Sequence, residues 1–284
     1  MEQLQVNIAL PGAGEPAATP AGGPMIQPHA AGLPGTPFSL VTRAGHSNVV
    51  MIGHATGPVV IEDRPNNDPG SAHPVDVPCE YVGQFYPRGD RDWISFSARK
   101  GDIVWLDLMS HRLGTAADPY LLVQKVTTDG DGNEQVSQVV EVDDVGLPTT
   151  SQIRPFNPES SDPSYRLVAD ADAMYRVLVA DLYADSRADP RFVYRLGIRR
   201  GAPDYQLIAY CPPQRGENPN DLRVQSAVLR QGGAAVVRVR SEKSDGFTGD
   251  VELTVEGLPD GVTCHPATLG GSVEEASLVL QADA

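Results

Sequence analysis

The chain is short of cysteine, of positive charge, of long apolar runs and of helical periodicity. Only Cys79, Cys211 and Cys264 occur among 284 residues. They are odd in number and widely spaced, with no CxxC pair and no zinc-ligand grouping, so a thiolate metal site is excluded. Each reads as a small apolar residue, although Cys211 and Cys264 fall in one predicted domain and a bridge between them stays open. Lys and Arg number 22 against 37 Asp and Glu, giving a net charge of -15 and a pI near 4.7. Phosphate contacts need clustered Lys and Arg, so a nucleic-acid partner is excluded. No apolar run approaches the length of a membrane span. The N-terminal MEQLQVNIALPGAG has no basic region, and its apolar run is too short for a signal peptide. The chain is thus either cytosolic or a piece of a longer exported protein.

Catalytic signatures are equally scarce. His29, His46, His54, His73, His111 and His265 show no HExxH and no metal-binding helical spacing. GHSNV around His46 and Ser47 lacks the final glycine of a nucleophile elbow, and GAG at residues 12–14 lacks the third glycine of a dinucleotide site. No enzyme activity is expected.

What the chain does hold is short strands punctuated by 25 prolines and 28 glycines. The stretch DRDWISFSARKGDIVWLDLM, residues 90–109, reads as two strands joined at Lys100-Gly101. Ile94, Phe96 and Ala98 alternate with Ser95, Ser97 and Arg99, the period of a half-buried strand. Ile103 to Leu108 is almost continuously apolar, as in a strand covered on both faces. Further strands are expected at 80–86, 120–127, 135–142, 165–169, 174–182 and 192–199. In the last, Phe192, Tyr194, Leu196 and Ile198 share one face. Asp129-Gly130-Asp131-Gly132-Asn133 is read as a hairpin turn, since its flanks are strands and not the helices of a calcium loop. Short strands with turns between them predict a β-sandwich or jelly roll.

The loop Glu62-Asp63-Arg64-Pro65-Asn66-Asn67-Asp68-Pro69 is rich in oxygen. Calcium takes six to eight oxygen ligands, and Glu62, Asp63, Asn66, Asn67 and Asp68 offer several within one turn. Asp90 or Asp92 would join from the next loop. Trp93 points opposite to Ile94 and Phe96 in a regular strand. It is a candidate ligand-binding residue that stacks on sugar or a protein partner, or else packs against the N-terminal arm or the next domain.

The order EDRPNNDP, GQFYPRGDRDWISFSARKGD, HRLGTAADPYLLV, MYRVLVADL and FVYRLGI resembles the bacterial pre-peptidase C-terminal domain over residues 62–200. The resemblance implies a non-catalytic β-sandwich from secreted peptidases or envelope proteins. Some members bind calcium near an EPNN-type turn, and some are similar to collagen- or polysaccharide-binding modules. Arg64 stands here where the family usually has Glu. Residues 203–284 resemble an immunoglobulin- or fibronectin-like repeat, especially at GLPDGV, and five or six strands are counted where such a fold needs about seven.

The expected organisation is all-β. Residues 1–60 form an arm or the tail of a preceding domain, 61–202 a jelly-roll-like sandwich, and 203–284 a second, incomplete immunoglobulin-like sandwich. The expected role is a non-catalytic adhesive, spacer or accessory module of a secreted or cell-envelope protein. Two alternatives stand beside it: a calcium-ordered module binding an extracellular carbohydrate or protein polymer, and the accessory region of a secreted peptidase.

Overall fold

The structure is a computed structural model. It describes residues 33, 35–43, 45–47, 49–144, 160–212, 214–215, 222–223 and 227–284. The strand expected at residues 4–8 and most of the polar loop at 143–163 lie outside these. The chain divides into two compact units, the first closing at Arg200 and the second opening at Gly201. No helix among the described residues is long and apolar enough to cross a membrane.

Among the described residues, the regular elements of the first unit are strands and two single-turn 3-10 helices, Pro69–Ser71 and His111–Leu113. In chain order its strands are β1 (Gly35–Phe38), β2 (Val41–Thr42), β3 (Gly45–His46), β4 (Val50–Gly53), β5 (Val59–Ile61), β6 (His73–Pro74) and β7 (Cys79–Gln84). There follow β8 (Asp92–Ala98), β9 (Ile103–Met109), β10 (Pro119–Thr128), β11 (Glu134–Val142), β12 (Ser164–Val168), β13 (Ala173–Asp181) and β14 (Val193–Arg200). Two five-stranded sheets result. Sheet A runs β11-β10-β13-β8-β6 and sheet B runs β12-β9-β14-β7-β5.

Alternation builds the core between them. Sheet A turns Ile94, Phe96, Leu121, Val123, Tyr175, Val177 and Val179 inward. Sheet B answers with Tyr81, Val104, Leu106, Leu108, Tyr194, Leu196 and Ile198. The two strands joined at Lys100-Gly101 do not pair with each other: β8 enters sheet A and β9 enters sheet B. Both are apolar toward one core, so the chain must cross from sheet to sheet. Gly101 makes that corner at φ +90°, which a side chain would oppose, and its N–H donates to Ala169 O at 2.7 Å.

β9 is not equally covered on its two faces. Val104, Leu106 and Leu108 are buried, whereas Trp105 and Asp107 on the outer side are half-buried. Part of that outer face is closed by the chain before β5. Leu33 and Met51 pack with Met109 and Leu113. Thr56 donates its hydroxyl to Glu80 Oε1 at 2.8 Å. Glu80 Oε2 in turn lies 3.1 Å from Arg195 Nε, an ion pair whose angle falls short of a hydrogen bond.

In the second unit β15 (Asp204–Tyr210) is followed by the short pair β16 (Gln214–Arg215) and β17 (Leu222–Arg223). Then come β18 (Ala234–Ser244), β19 (Val251–Leu253), β20 (Val262–Cys264), β21 (Ala267–Leu269) and β22 (Glu275–Ala282). A four-stranded sheet, β15-β18-β22-β20, and the β19-β21 ladder share a small core of Val239, Val251, Leu253, Leu269 and Leu278.

Trp93 and Trp105 are the only tryptophans, and both lie in the first unit, so indole fluorescence follows that unit alone. Leu196 is fully buried in β14. Leu196→Ala is expected to cost about 2–5 kcal/mol in urea unfolding followed by this signal. Val168→Ala, at an exposed edge position, is expected to change it by less than about 0.5 kcal/mol.

Candidate metal centre

Three carboxylates meet at one end of the sandwich: Glu62, Asp90 and Asp92, with one oxygen from each lying within 4.8 Å of the others. Glu62 follows β5, and its N–H donates to Val82 O at 2.9 Å, which extends the parallel β5–β7 ladder by one bond. Asp90 stands in the turn before β8, its Oδ2 accepting the Tyr86 N–H at 3.1 Å. Asp92 opens β8 on the same face as Ile94 and Phe96, so its carboxyl caps the end of the core and is 1% exposed. Tyr194 of β14 donates its hydroxyl to Asp92 Oδ2 at 2.6 Å, tying sheet B to sheet A. Gly83 leaves the room for this: a Cβ there would stand 2.5 Å from the Tyr194 hydroxyl and 2.8 Å from Glu62 Oε2.

The electrostatics of the group are unbalanced. Burial, joined by the charges of Asp90 and Glu62 and opposed by the Tyr194 hydrogen bond, pushes the Asp92 carboxyl up to about 8. Burial and then the Asp90 charge raise Glu62, and burial raises Asp90. Burial and the nearby Asp92 carboxylate also raise the Tyr194 phenol. Asp92 Oδ1 is buried and no N–H or hydroxyl among the described residues donates to it, while the protonated Asp92 carboxyl shares a hydrogen bond with Glu62, which adds to the rise. Among the described residues, no cation is among the causes that shift any of the three.

Elsewhere the same unit answers a buried carboxylate with a guanidinium. Asp162 accepts the backbone N–H groups of Ser110, His111 and Arg112 and the Arg112 Nε at 3.0 Å. Asp181 takes both arms of Arg187 at 2.9 Å. Glu80 faces Arg195. Asp92 has a phenol and two more acids.

The residues singled out in the sequence separate here. Glu62 and Asp92 come together, with Asp90. Asp63 and Asp68 are exposed and stand outside the group. Asn67 is exposed, and its Oδ1 accepts the Arg91 N–H at 3.0 Å. Asn66 is 1% exposed; its Nδ2 donates to Trp93 O at 3.0 Å and to the Tyr81 hydroxyl at 3.3 Å, while its Oδ1 is buried without a partner. Asn66 thus pins the acidic loop to the start of β8. Trp93 does point away from Ile94, yet it is only 6% exposed and packs with Leu178 and Ala180 beside Ala72, Tyr120 and Leu122. It presents no open stacking face. Asp129 closes the β10–β11 turn, its Oδ1 accepting the N–H groups of Asp131 at 3.0 Å and Asn133 at 2.8 Å. A second acidic group, Asp118, Asp143 and Asp144, is half-buried to exposed.

Tyr194 and Gly83 carry the site but were not marked for it by the sequence. The alternation of Phe192, Tyr194, Leu196 and Ile198 held the signal. It sends a phenol into an apolar core, where a hydroxyl must find an acceptor.

No family model matches the chain, and no curated protein matches it. Among solved structures it is similar to the pre-peptidase C-terminal domain of a collagenase from Bacillus anthracis. That likeness has 10% identity over 49% of this chain and 100% of the other, at a TM-score of 0.31. It is also similar to CorA, a surface-associated copper-binding protein of Methylomicrobium album BG8. There the identity is 11% over 42% of this chain and 83% of the other, at a TM-score of 0.23.

Gly83→Ala is expected to drive the Tyr194 hydroxyl or the Glu62 carboxyl aside, at a cost of about 1–3 kcal/mol in urea unfolding. A stability equal to that of the unaltered chain would show that the approach at Gly83 relaxes freely.

Proposed function

We propose that the first unit is a non-catalytic, calcium-held β-sandwich module of a secreted or cell-envelope protein, with Glu62, Asp90 and Asp92 as its metal ligands. The observation that carries this reading is Asp92. It is a carboxyl buried at the end of the core, with two acids against it and no N–H donating to its second oxygen, in a unit that matches the buried carboxylates outside this group, Glu80, Asp162 and Asp181, to arginines. Such a group either keeps a proton or takes a cation. The donor set is all oxygen, which suits a hard cation such as calcium better than copper or zinc. Three carboxylates offer up to six oxygens, enough for most of a calcium shell with the remainder from water or backbone carbonyls. Bound there, calcium would supply charge balance and no redox chemistry. The chain's own residues join β5, the turn before β8 and, through Tyr194, both sheets.

The test is thermal unfolding of the full chain in EDTA and in millimolar calcium. A ligand held only by the folded state at about 100 times its Kd adds about 2.7 kcal/mol. For a unit of this size that is a rise of roughly 5–10 °C, and Asp92→Asn is expected to abolish it. An unchanged midpoint in calcium would retire the metal reading.

The pH dependence has a definite sign. Asp92 binds its proton more tightly folded than unfolded. Its contribution is therefore full below the unfolded pKa, near 4, and is lost as pH rises through about 8. In EDTA the midpoint is expected to fall between about pH 5 and pH 8.5, and saturating calcium is expected to flatten that fall.

A further inference from the structure

The β10–β11 hairpin ends sheet A, and among the described residues β11 pairs with β10 alone. Its burial is unlike that of any other strand of the sandwich. Six consecutive residues, Glu134 to Val139, are exposed, including Val136 at 49% and Val139 at 37%. A strand exposed on both faces and along one edge keeps a row of backbone donors and acceptors open to another chain. The sequence EQVSQVVEV carries neither lysine nor proline, two residues that commonly blunt such an edge. One protective device is present: the register slips where Val123 faces Val140 and Gln124 faces Gln138, leaving Val139 as the extra residue. The ladder from Glu134 to Gln138 keeps a regular register, and these residues stay exposed.

The surroundings of this edge are acidic. Asp129 and Asp131 sit in the turn before it, Glu141 near its end, and Asp143 and Asp144 just beyond. The last two stand with Asp118 within 4.8 Å of one another. Burial and the charge of Asp144 raise both the Asp118 and the Asp143 carboxyls. Most nearby cations are engaged elsewhere: Arg176 holds Glu134 through two bonds at 3.0 and 2.7 Å, Lys125 holds Asp170 at 2.7 Å, and Arg187 holds Asp181, although the Arg187 and His111 charges also offset part of Asp118. Beside Asp118 and Asp144 opens a shallow cavity of about 370 Å³, with His111 and Tyr183 on its walls.

We infer that the β11 edge docks an extended, basic polypeptide segment, which adds to sheet A as a further strand and lays a lysine or arginine against Asp118, Asp143 and Asp144. Main-chain bonds to the edge supply the common affinity of strand addition, and the acidic flank selects the sign of the partner. A second copy of this chain fits poorly. Antiparallel self-pairing would set Glu141, Asp143 and Asp144 of one copy against Asp129, Asp131 and Glu134 of the other, in chains that each carry -15. The inference goes beyond the metal-held module and does not depend on it.

The experiment uses the full chain and labelled ten-residue peptides, read by fluorescence anisotropy in both calcium and EDTA. A Lys/Val alternating peptide is expected to bind saturably with a Kd below about 1 mM and to weaken as salt rises. A Glu/Val peptide is expected not to bind. Asp143→Asn with Asp144→Asn should weaken binding at least threefold without moving the thermal midpoint. Of Val136→Pro and Ser137→Pro, the one that removes an outward N–H should cost tenfold or more. Equal binding in calcium and EDTA separates this surface from the metal centre. Three results overturn the inference. The first is no saturable binding by the Lys/Val peptide. The second is equal binding by a Lys/Gly peptide of low strand propensity, which would mean charge attraction alone. The third is a concentration-dependent dimer, abolished by the same proline, in a chain that ignores the peptide.

Discussion

One buried carboxyl organises the end of the sandwich where the loops gather. Asp92 closes the core from sheet A, and its hydrogen bond from Tyr194 is a direct polar link to sheet B. The position is costly for an acid. It is buried, it takes one hydroxyl from Tyr194, and Glu62 and Asp90 stand against it with no cation beside them among the described residues. Its surroundings accept this arrangement at several points. Gly83 gives up a side chain, Glu62 is held by the β5–β7 ladder, and Asn66 locks the preceding loop onto the backbone of Trp93. A core end that needed only stability would be served better by an apolar side chain or by an arginine partner of the kind given to Asp162. The proposed cation would account for the acid, for its neighbours and for the guanidinium that the described residues do not supply.

The strands were legible because their pattern is simple. Alternation in 94–98 and 192–198 sends Ile94, Phe96, Tyr194, Leu196 and Ile198 inward, and they do face the core. The all-β class follows from the same signal. Contact across the chain was less legible. The loop at 62–69 reads as a compact oxygen donor, yet Asn66 turns inward and Asn67 is taken by a backbone N–H. Glu62 finds its companions in Asp90 and Asp92, nearly thirty residues on, because the β5–β7 ladder returns it to the start of β8. The sequence offers Asp90 or Asp92 from the next loop, but local spacing carries no trace of the ladder that fixes Glu62 beside both. Trp93 shows the same limit: period two gives its side of the sheet correctly, but not that Leu178, Ala180 and Leu122 close over it.

Charge is distributed with a purpose that composition conceals. A total of -15 speaks only of solubility and of partners to exclude. In the fold, many acids are spent on arginines within the framework, as at Asp162, Asp181, Asp189 and Asp102. Two groups are not. One is the half-buried Glu62 with the buried Asp90 and Asp92, closed off from solvent at the end of the core. The other is open at Asp118, Asp143 and Asp144, beside a bare strand edge, where a mobile side chain of the opposite sign can reach. Burial separates the two chemistries.

The most direct measurement is calorimetric titration of calcium into the full chain at pH 7, in two buffers of different ionisation enthalpy. The account predicts one saturable site per chain, and release of a substantial part of one proton as Asp92 exchanges its hydrogen for the metal. Asp92→Asn should remove both the site and the proton. Calcium binding that releases no proton and survives Asp92→Asn would place the metal elsewhere. No binding at all would leave Asp92 a neutral, hydrogen-bonded plug in the core.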